Sequence, residues 1–187
     1  MYYMDYPDVF WSAGGRINMY LGHWQRGEGK KDKGQFDKKE TVDFIAGACM
    51  LIKRDIIERI GFLPEDYFLQ WDDIDYCTAV RRNGFKCVYV PKAKIWHRVS
   101  ASFDSEGVNY GQVMRGFEHR IIFRHKYLSC LQFLFFTMCF FLVVIPAHMT
   151  YYLIRCRDLR KIWCMLWGTY RGFRRVSEHL EINIKSK

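Results

Sequence analysis

Three carboxylates, Asp72, Asp73 and Asp75, fall within four consecutive residues directly behind the aromatic patch Tyr67-Phe68-Leu69-Gln70-Trp71. Acids crowded in this way repel one another and raise at least one pKa, which suits a proton acceptor, while a helix N-terminus keeps the others ionised. The same spacing also makes an acidic N-cap and first helical turn, and the residue types alone leave both readings open. His97 ends an extended apolar stretch and precedes Arg98-Val99-Ser100-Ala101-Ser102-Phe103, a position from which a side chain projects toward a cleft. No second ligand stands nearby at helical or hairpin spacing, and a lone imidazole is more often a hydrogen-bonded structural group than a metal ligand. Arg81 and Arg82 read as a solvated helix face. The sequence contains no G-x-x-x-x-G-K-[ST], no G-x-G-x-x-G after a strand and no H-E-x-x-H, which excludes phosphate-loop and zincin chemistry.

These residues need a short α/β series to position them. Val42 to Ile52 is apolar and interrupted by Gly47, which predicts a buried strand or strand-loop whose backbone approaches something closely. Asp55 is expected to cap a short helix that Gly61 ends in the manner of a C′ glycine. A second helix is predicted from about Asp72 to Asn83-Gly84, with its acids at the positive end of the dipole. Phe85 to Val90 reads as a strand that Pro91 breaks, and extended chain resumes from Ala93 to Trp96. Arg26 to Lys39 and Ser100 to Gly111 read as loops.

Charge divides the chain near residue 110. Residues 1–110 carry sixteen Lys and Arg against sixteen Asp and Glu, whereas residues 111–187 carry thirteen against four, so the net charge of +9 comes from the second part. The same part contains 27 residues, Leu128 to Ile154, without Asp, Glu, Lys or Arg, more than the ~20 that cross a hydrocarbon core. Arg124 and Lys126 precede this run, and Arg155, Arg157, Arg160 and Lys161 follow it. Excess cations beside a long apolar run point to an anionic membrane surface and away from nucleic acid. Pro146 and His148 are expected to interrupt the run, which leaves a span, a re-entrant or in-plane amphipathic hairpin and a buried core helix all open. The seven cysteines are scattered and form no C-x-x-C, so they read as small core hydrophobes in a reducing compartment, not a disulfide or zinc framework. Half of the residues are hydrophobic, ample for a packed core and incompatible with a disordered tail.

The order of the motifs from about Trp11 to Phe103 resembles the C-terminal half of family 2 glycosyltransferases, of the rhamnosyltransferase-like kind that builds cell-surface polysaccharides. The resemblance rests on Ala13-Gly14-Gly15, on Asp32-Lys33-Gly34-Gln35-Phe36, and on the run from Val42 through Gly47, Ala48 and Cys49 to Arg54. It continues through Ile60-Gly61-Phe62-Leu63-Pro64-Glu65-Asp66-Tyr67-Phe68, Trp71-Asp72-Asp73-Ile74-Asp75, Asn83-Gly84-Phe85 and Val90-Pro91-Lys92-Ala93-Lys94-Ile95-Trp96-His97. The acidic segment is similar to the family's Glu-Asp-x-Asp motif, with Asp72 in place of Glu, and Ala79 stands where the family often has Arg.

The resemblance implies an α/β fold that is the C-terminal part of a GT-A fold, at residues 1–110, followed by an apolar helical membrane-associating region at 111–187. It implies inverting transfer from a nucleotide sugar to a cell-surface polysaccharide or lipid-linked acceptor, with Asp73, beside Asp72, taking the proton of the acceptor hydroxyl. Gly47, Ala48 and Trp71 are then expected on the acceptor side. His97 is expected to help hold a divalent Mg²⁺ or Mn²⁺ ion on the diphosphate, with the remaining DxD ligands in a nucleotide-binding half that precedes this part in the family. The expected place of work is the cytoplasmic face of the cell membrane. The competing reading is a non-catalytic module on the membrane surface that binds a glycan or a partner enzyme through the patch around Trp71.

Overall fold

The computed structural model describes residues 1–67, 70–99 and 110–185, with side chains to residue 179. Phe68 and Leu69 of the aromatic patch, and the expected loop from Ser100 as far as residue 109, lie outside the described residues. The chain forms two compact units: Met1–Asn18, Gly22–Tyr67 and Asp72–Ser105 make the first, and Met19–Leu21, Phe68–Trp71 and Glu106–Lys187 make the second.

The first unit is built from short strands and two helices. Its elements are β1 (Tyr2–Tyr3), β2 (Gly15–Asn18), β3 (Gly22–Gln25), β4 (Glu40–Val42), a 3₁₀ turn (Gly47–Cys49), α1 (Arg54–Ile60), α2 (Asp72–Arg82), β5 (Cys87–Tyr89) and β6 (Trp96–His97). The strands pair two by two: β1 with β6 in parallel, and β2 with β3 and β4 with β5 antiparallel. Gly15 also bridges to Phe44, which ties the β2–β3 hairpin to the chain leaving β4.

Glycine decides this junction. Gly14 has φ 79°, and a Cβ there would lie 2.7 Å from a Val42 methyl, while a Cβ on Gly15 would fall inside the Phe44 ring. Both rings and methyls belong to the core, where Phe10, Val42 and Phe44 are almost wholly buried. A side chain at either glycine would displace that core.

Of the two readings of Val42 to Ile52, a buried strand or a strand-loop, the strand-loop is the one formed. The β4–β5 ladder stops at Val42, Phe44 keeps one bridge to Gly15, and the chain then turns through Gly47–Cys49, which leaves those three residues exposed. The helix expected after Asp55 begins two residues earlier: Lys53 is its N-cap, without a side-chain hydrogen bond, and Asp55 sits inside the first turn. Its end is as expected, since Gly61 at φ 93° donates its N–H to the Ile57 carbonyl at 2.8 Å. Helix α2 carries its three acids in the first turn and Arg81 and Arg82 in the last, which is the favourable sense of the dipole at both ends.

The second unit is helical. It contains α3 (Tyr110–Tyr127), an apolar helix (Cys130–Cys156) and a C-terminal helix (Leu159–Lys185). Tyr110 and Gly111, read as the end of a loop, already belong to α3. Ser129 and Gln132 form a reciprocal capping box that starts the apolar helix. Pro146 does not break that helix. A proline removes one N–H and its ring collides with the carbonyl four residues back. Here the turn of π-helix at Phe140–Val144, immediately before it, widens the spiral, and the helix continues to Cys156. Arg157, in the left-handed region at φ 51°, then reverses the chain into the C-terminal helix.

Phe117 and Ile121 of α3, Phe136, Phe140 and Val144 of the apolar helix, and Met165 and Val176 of the C-terminal helix form one core. Gly168 and Gly172 let the C-terminal helix approach α3 closely: a Cβ at 168 would strike the Met114 carbonyl, and one at 172 would lie 2.9 Å from the Glu118 carbonyl. Of the seven cysteines, Cys77, Cys87 and Cys164 are buried, but Cys49 and Cys130 are exposed, so the core reading holds for only part of the set.

Candidate active site

The acidic motif acquires different roles for its three members once α2 forms. Asp75 is fully buried and accepts a 2.6 Å hydrogen bond from the Tyr67 hydroxyl, which makes it a packing acid. Asp72 stays half-buried at the start of the helix. Asp73 is half-buried as well, and is distinguished by its donors. One of its carboxylate oxygens accepts the Gly47 N–H at 2.8 Å, and the other accepts the Ile74 N–H at 2.8 Å. Burial pushes the Asp73 pKa above the ordinary carboxylate range, the Gly47 and Ile74 N–H groups pull it back, and the neighbouring Asp72 charge adds to the rise. A raised pKa was expected from mutual repulsion; desolvation is the larger cause, and repulsion from Asp72 is the smaller one.

Gly47 and Ala48 lie in the exposed 3₁₀ turn beside Asp73. The close backbone approach expected at Gly47 is therefore made to the Asp73 carboxylate. A Cβ at 47 would meet the Asp73 Cβ at 3.5 Å, an ordinary contact, so the amide N–H matters here and the missing side chain does not. The result is a carboxylate held at two points by backbone donors, with an open rim of Gly47, Ala48 and Cys49 at its side.

Spacing gave no sign of two contacts that hold this arrangement. Asp43 takes Arg81 at 3.0 Å and Arg16 at 3.8 Å, and accepts the Ile17 N–H at 2.9 Å, joining α2 and β2 to the strand that leads to the turn. Arg81 is thus an anchor and not merely a solvated face. Asp32, within the glycine-containing loop, accepts the Tyr2 hydroxyl at 2.7 Å and the Gly34 N–H at 2.9 Å; these two bonds, the Tyr2 one foremost, hold its pKa low.

Two expected site residues stand elsewhere. Trp71 belongs to the helical unit, and its ring is only 4% exposed. It packs on Phe123 at 5.3 Å between centroids and receives the Arg124 guanidinium over its face at 4.8 Å. Its backbone is strained, with φ 77°, a conformation that costs a bulky residue about 1–3 kcal/mol and persists where packing over-determines it. The ring therefore offers no open platform to an acceptor.

His97 sits at the end of β6, in the first unit. It pairs with Tyr3 across β1 and β6, and its ring lies 4.6 Å from that of Trp11. Among the described residues no group of three or more His, Cys, Asp or Glu side chains is placed to hold a metal ion. His97 supplies a single nitrogen, and the described residues do not by themselves fit a divalent cation.

Residues 1–107, more than half of the chain, match the model of a family described as glycosyltransferase like family 2. The chain belongs to this family. A GT-A-like fold follows for the matched part. A curated relative, the N-acetylglucosaminyl-diphospho-decaprenol L-rhamnosyltransferase of Mycobacterium tuberculosis, is 31% identical over 64 residues, which is 34% of this chain and 21% of that protein. The low-salt glycan biosynthesis hexosyltransferase of Haloferax volcanii is 37% identical over 43 residues, 23% of this chain and 14% of that protein. The galactofuranosyltransferase of M. tuberculosis is 33% identical over 60 residues, 32% of this chain and 9% of that protein. The aligned segments thus span about a fifth or less of these relatives' lengths. No solved structure matches the chain.

Proposed function

We propose that this chain carries the acceptor-activating part of an inverting glycosyltransferase that moves a sugar from a nucleotide sugar to a glycan or lipid-linked acceptor at the cytoplasmic face of a membrane. The observation that carries the reading is Asp73: a carboxylate with raised proton affinity, fixed by the Gly47 and Ile74 N–H groups and bordered by an exposed turn. Such a group can take the proton of an acceptor hydroxyl. The hydroxyl oxygen then bonds to the anomeric carbon as the bond from that carbon to the diphosphate oxygen breaks, and the nucleoside diphosphate departs with the bonding pair. Asp72 keeps the local potential negative, which disfavours a lasting charge on Asp73 and so favours its taking the proton.

A lipid-linked acceptor is supported by the relative whose name specifies a diphospho-decaprenol substrate. Membrane attachment is supported by the helix Cys130–Cys156, long and apolar enough to cross a bilayer by length and composition. The thirteen cations of residues 111–187 add attraction to an anionic surface. The cytoplasmic face follows from the donor, because nucleotide sugars are made in the cytosol. Burial of the Trp71 ring counts against the competing binding module, which would use the patch around it.

Transfer of labelled sugar to membrane lipid extracts tests the proposal, with the chain supplied alone and together with a donor-binding half from a relative. Asp73→Asn should lower transfer by about 10²–10⁴-fold while the protein remains folded. Undiminished transfer by Asp73→Asn would remove Asp73 from the reaction. No transfer under either arrangement would overturn the enzymatic reading.

A further inference from the structure

We infer that the helical unit lies flat on an anionic membrane surface, with the apolar helix in the plane of the interface and both of its ends on the same side. This rests on the membrane attachment proposed above and replaces a crossing with a surface placement.

The packing of the unit carries the argument. The apolar helix is about 40 Å long, enough to cross a ~30 Å core, so length alone would allow a span. Its midpoint lies near Val143. Phe117 of α3 packs against Phe140 at 6.1 Å and against His148 at 5.1 Å, so α3 meets the helix at its middle. The next residue, Glu118, pairs with Arg171 at 3.0 Å and Arg175 at 3.4 Å on the C-terminal helix. The C-terminal helix runs back along the same segment, with Phe173 stacked on Phe141 at 5.7 Å. A crossing would therefore carry Glu118, Arg171 and Arg175 to the depth of the hydrocarbon core. Arg171 and Arg175 keep 45% and 40% of their side chains exposed, so those charges would face lipid. Charges at that depth face a protein interior or water in stable membrane proteins, not acyl chains.

Lying flat removes the conflict. Leu131, Leu134, Phe135, Met138 and Leu142 form an exposed stripe on the apolar helix. Leu159, Trp163, Leu166, Trp167 and Tyr170 form a second exposed stripe, at helical spacing, on the C-terminal helix. Trp163 and Trp167 are stacked at 5.7 Å and 10°, with Tyr170 beside them at 5.3 Å. Rings with a polar N–H or O–H at the edge settle at headgroup depth, as in the aromatic belts of membrane proteins. Arg157 and Arg160, exposed where the two helices join, are placed for lipid phosphates. The cation excess of the unit selects an anionic bilayer over a second copy of the chain, whose like charge would repel.

Single reporters at the two ends of the apolar helix test the placement. The variants carry either Cys130 or Arg160→Cys as the one accessible thiol, with Cys49, Cys139 and Cys156 replaced by Ser and the buried cysteines kept. Membranes bearing each variant are prepared as sealed inverted and sealed right-side-out vesicles and treated with a membrane-impermeant maleimide. Both reporters should label fully in inverted vesicles and not at all in right-side-out ones. Labelling of one reporter from each side, or of neither until detergent is added, would overturn the surface placement. A chain that does not float with vesicles containing phosphatidylglycerol would instead overturn the membrane attachment itself. A soluble dimer in that fraction would assign the apolar stripes to a second copy.

Discussion

The two units handle charge in opposite ways. In the first, opposite charges balance, and the internal acids are spent on particular donors: Asp43 on Arg81, Asp75 on Tyr67 and Asp73 on backbone N–H groups. In the second, residues 111–187 set thirteen cations against four acids, and Glu118 alone takes two arginines. Apolar surface follows the same division, since the stripes of exposed Leu, Phe and Trp belong to the second unit's helices. The first unit uses polar groups to fix geometry, and the second uses apolar area and surplus charge to meet a surface. The family match ends at residue 107, which confines the family's motifs to the part that fixes geometry.

The largest effect expected from the comparison is on attachment. Replacing Arg155, Arg157, Arg160 and Lys161 together by Gln should weaken partitioning to anionic vesicles by on the order of 4 kcal/mol at low salt, about 1 per cation. Thermal stability should change little, because none of the four lies in the core. Sedimentation with vesicles of graded phosphatidylglycerol content measures this, and unchanged partitioning would show that the cations of the second unit serve another purpose.

Gly168→Val probes the same unit from within. The new side chain would strike the Met114 carbonyl, and overpacking of this kind costs typically about 1–3 kcal/mol. Far-ultraviolet circular dichroism should lose helix at a lower temperature. Hydrogen exchange in β4 and α2 should change less than in α3. Equal loss in both places would show that the two units unfold as one.

Acidification should separate the units by sign. His119 donates its Nδ1–H to the Gln70 carbonyl at 3.0 Å, and burial lowers its pKa to about 4. The unfolded chain takes up that proton near the ordinary histidine pKa of ~6.5, so stability falls as the pH drops from there toward the native value, by roughly 3 kcal/mol in the limit. Asp73 acts the other way. Its raised pKa means the native state accepts a proton more readily than the unfolded chain, so the cost of its ionised form fades as the pH falls through the native pKa. Denaturant melts at stepped pH should show His119→Gln flattening the acid loss, and Asp73→Asn removing the opposing gain.

The smallest effect should come from Gly47→Ala. The donor N–H is retained and the added methyl meets Asp73 at an ordinary distance, so stability should change by less than about 1 kcal/mol. A large loss of stability would mean that the turn needs glycine for its backbone.

Local signals determined the helix of the acidic motif, the ends at Gly61 and Asn83-Gly84, the division of charge near residue 110 and the long apolar run, because capping, dipole and composition act over a few neighbouring residues. The glycines at 14 and 15 were legible as part of a motif, but the collisions that require them, with Val42 and Phe44, join residues nearly thirty apart. Tertiary structure decided the rest. It separated three adjacent acids into a packing group, a half-open group and a carboxylate held by Gly47, since each points in a different direction around one helical turn. It also withdrew Trp71 into the helical unit, where Arg124 and Phe123 cover it, and carried the helix through Pro146. Neither outcome is written in residue type, because burial and backbone compensation depend on what the chain brings alongside from far along its length.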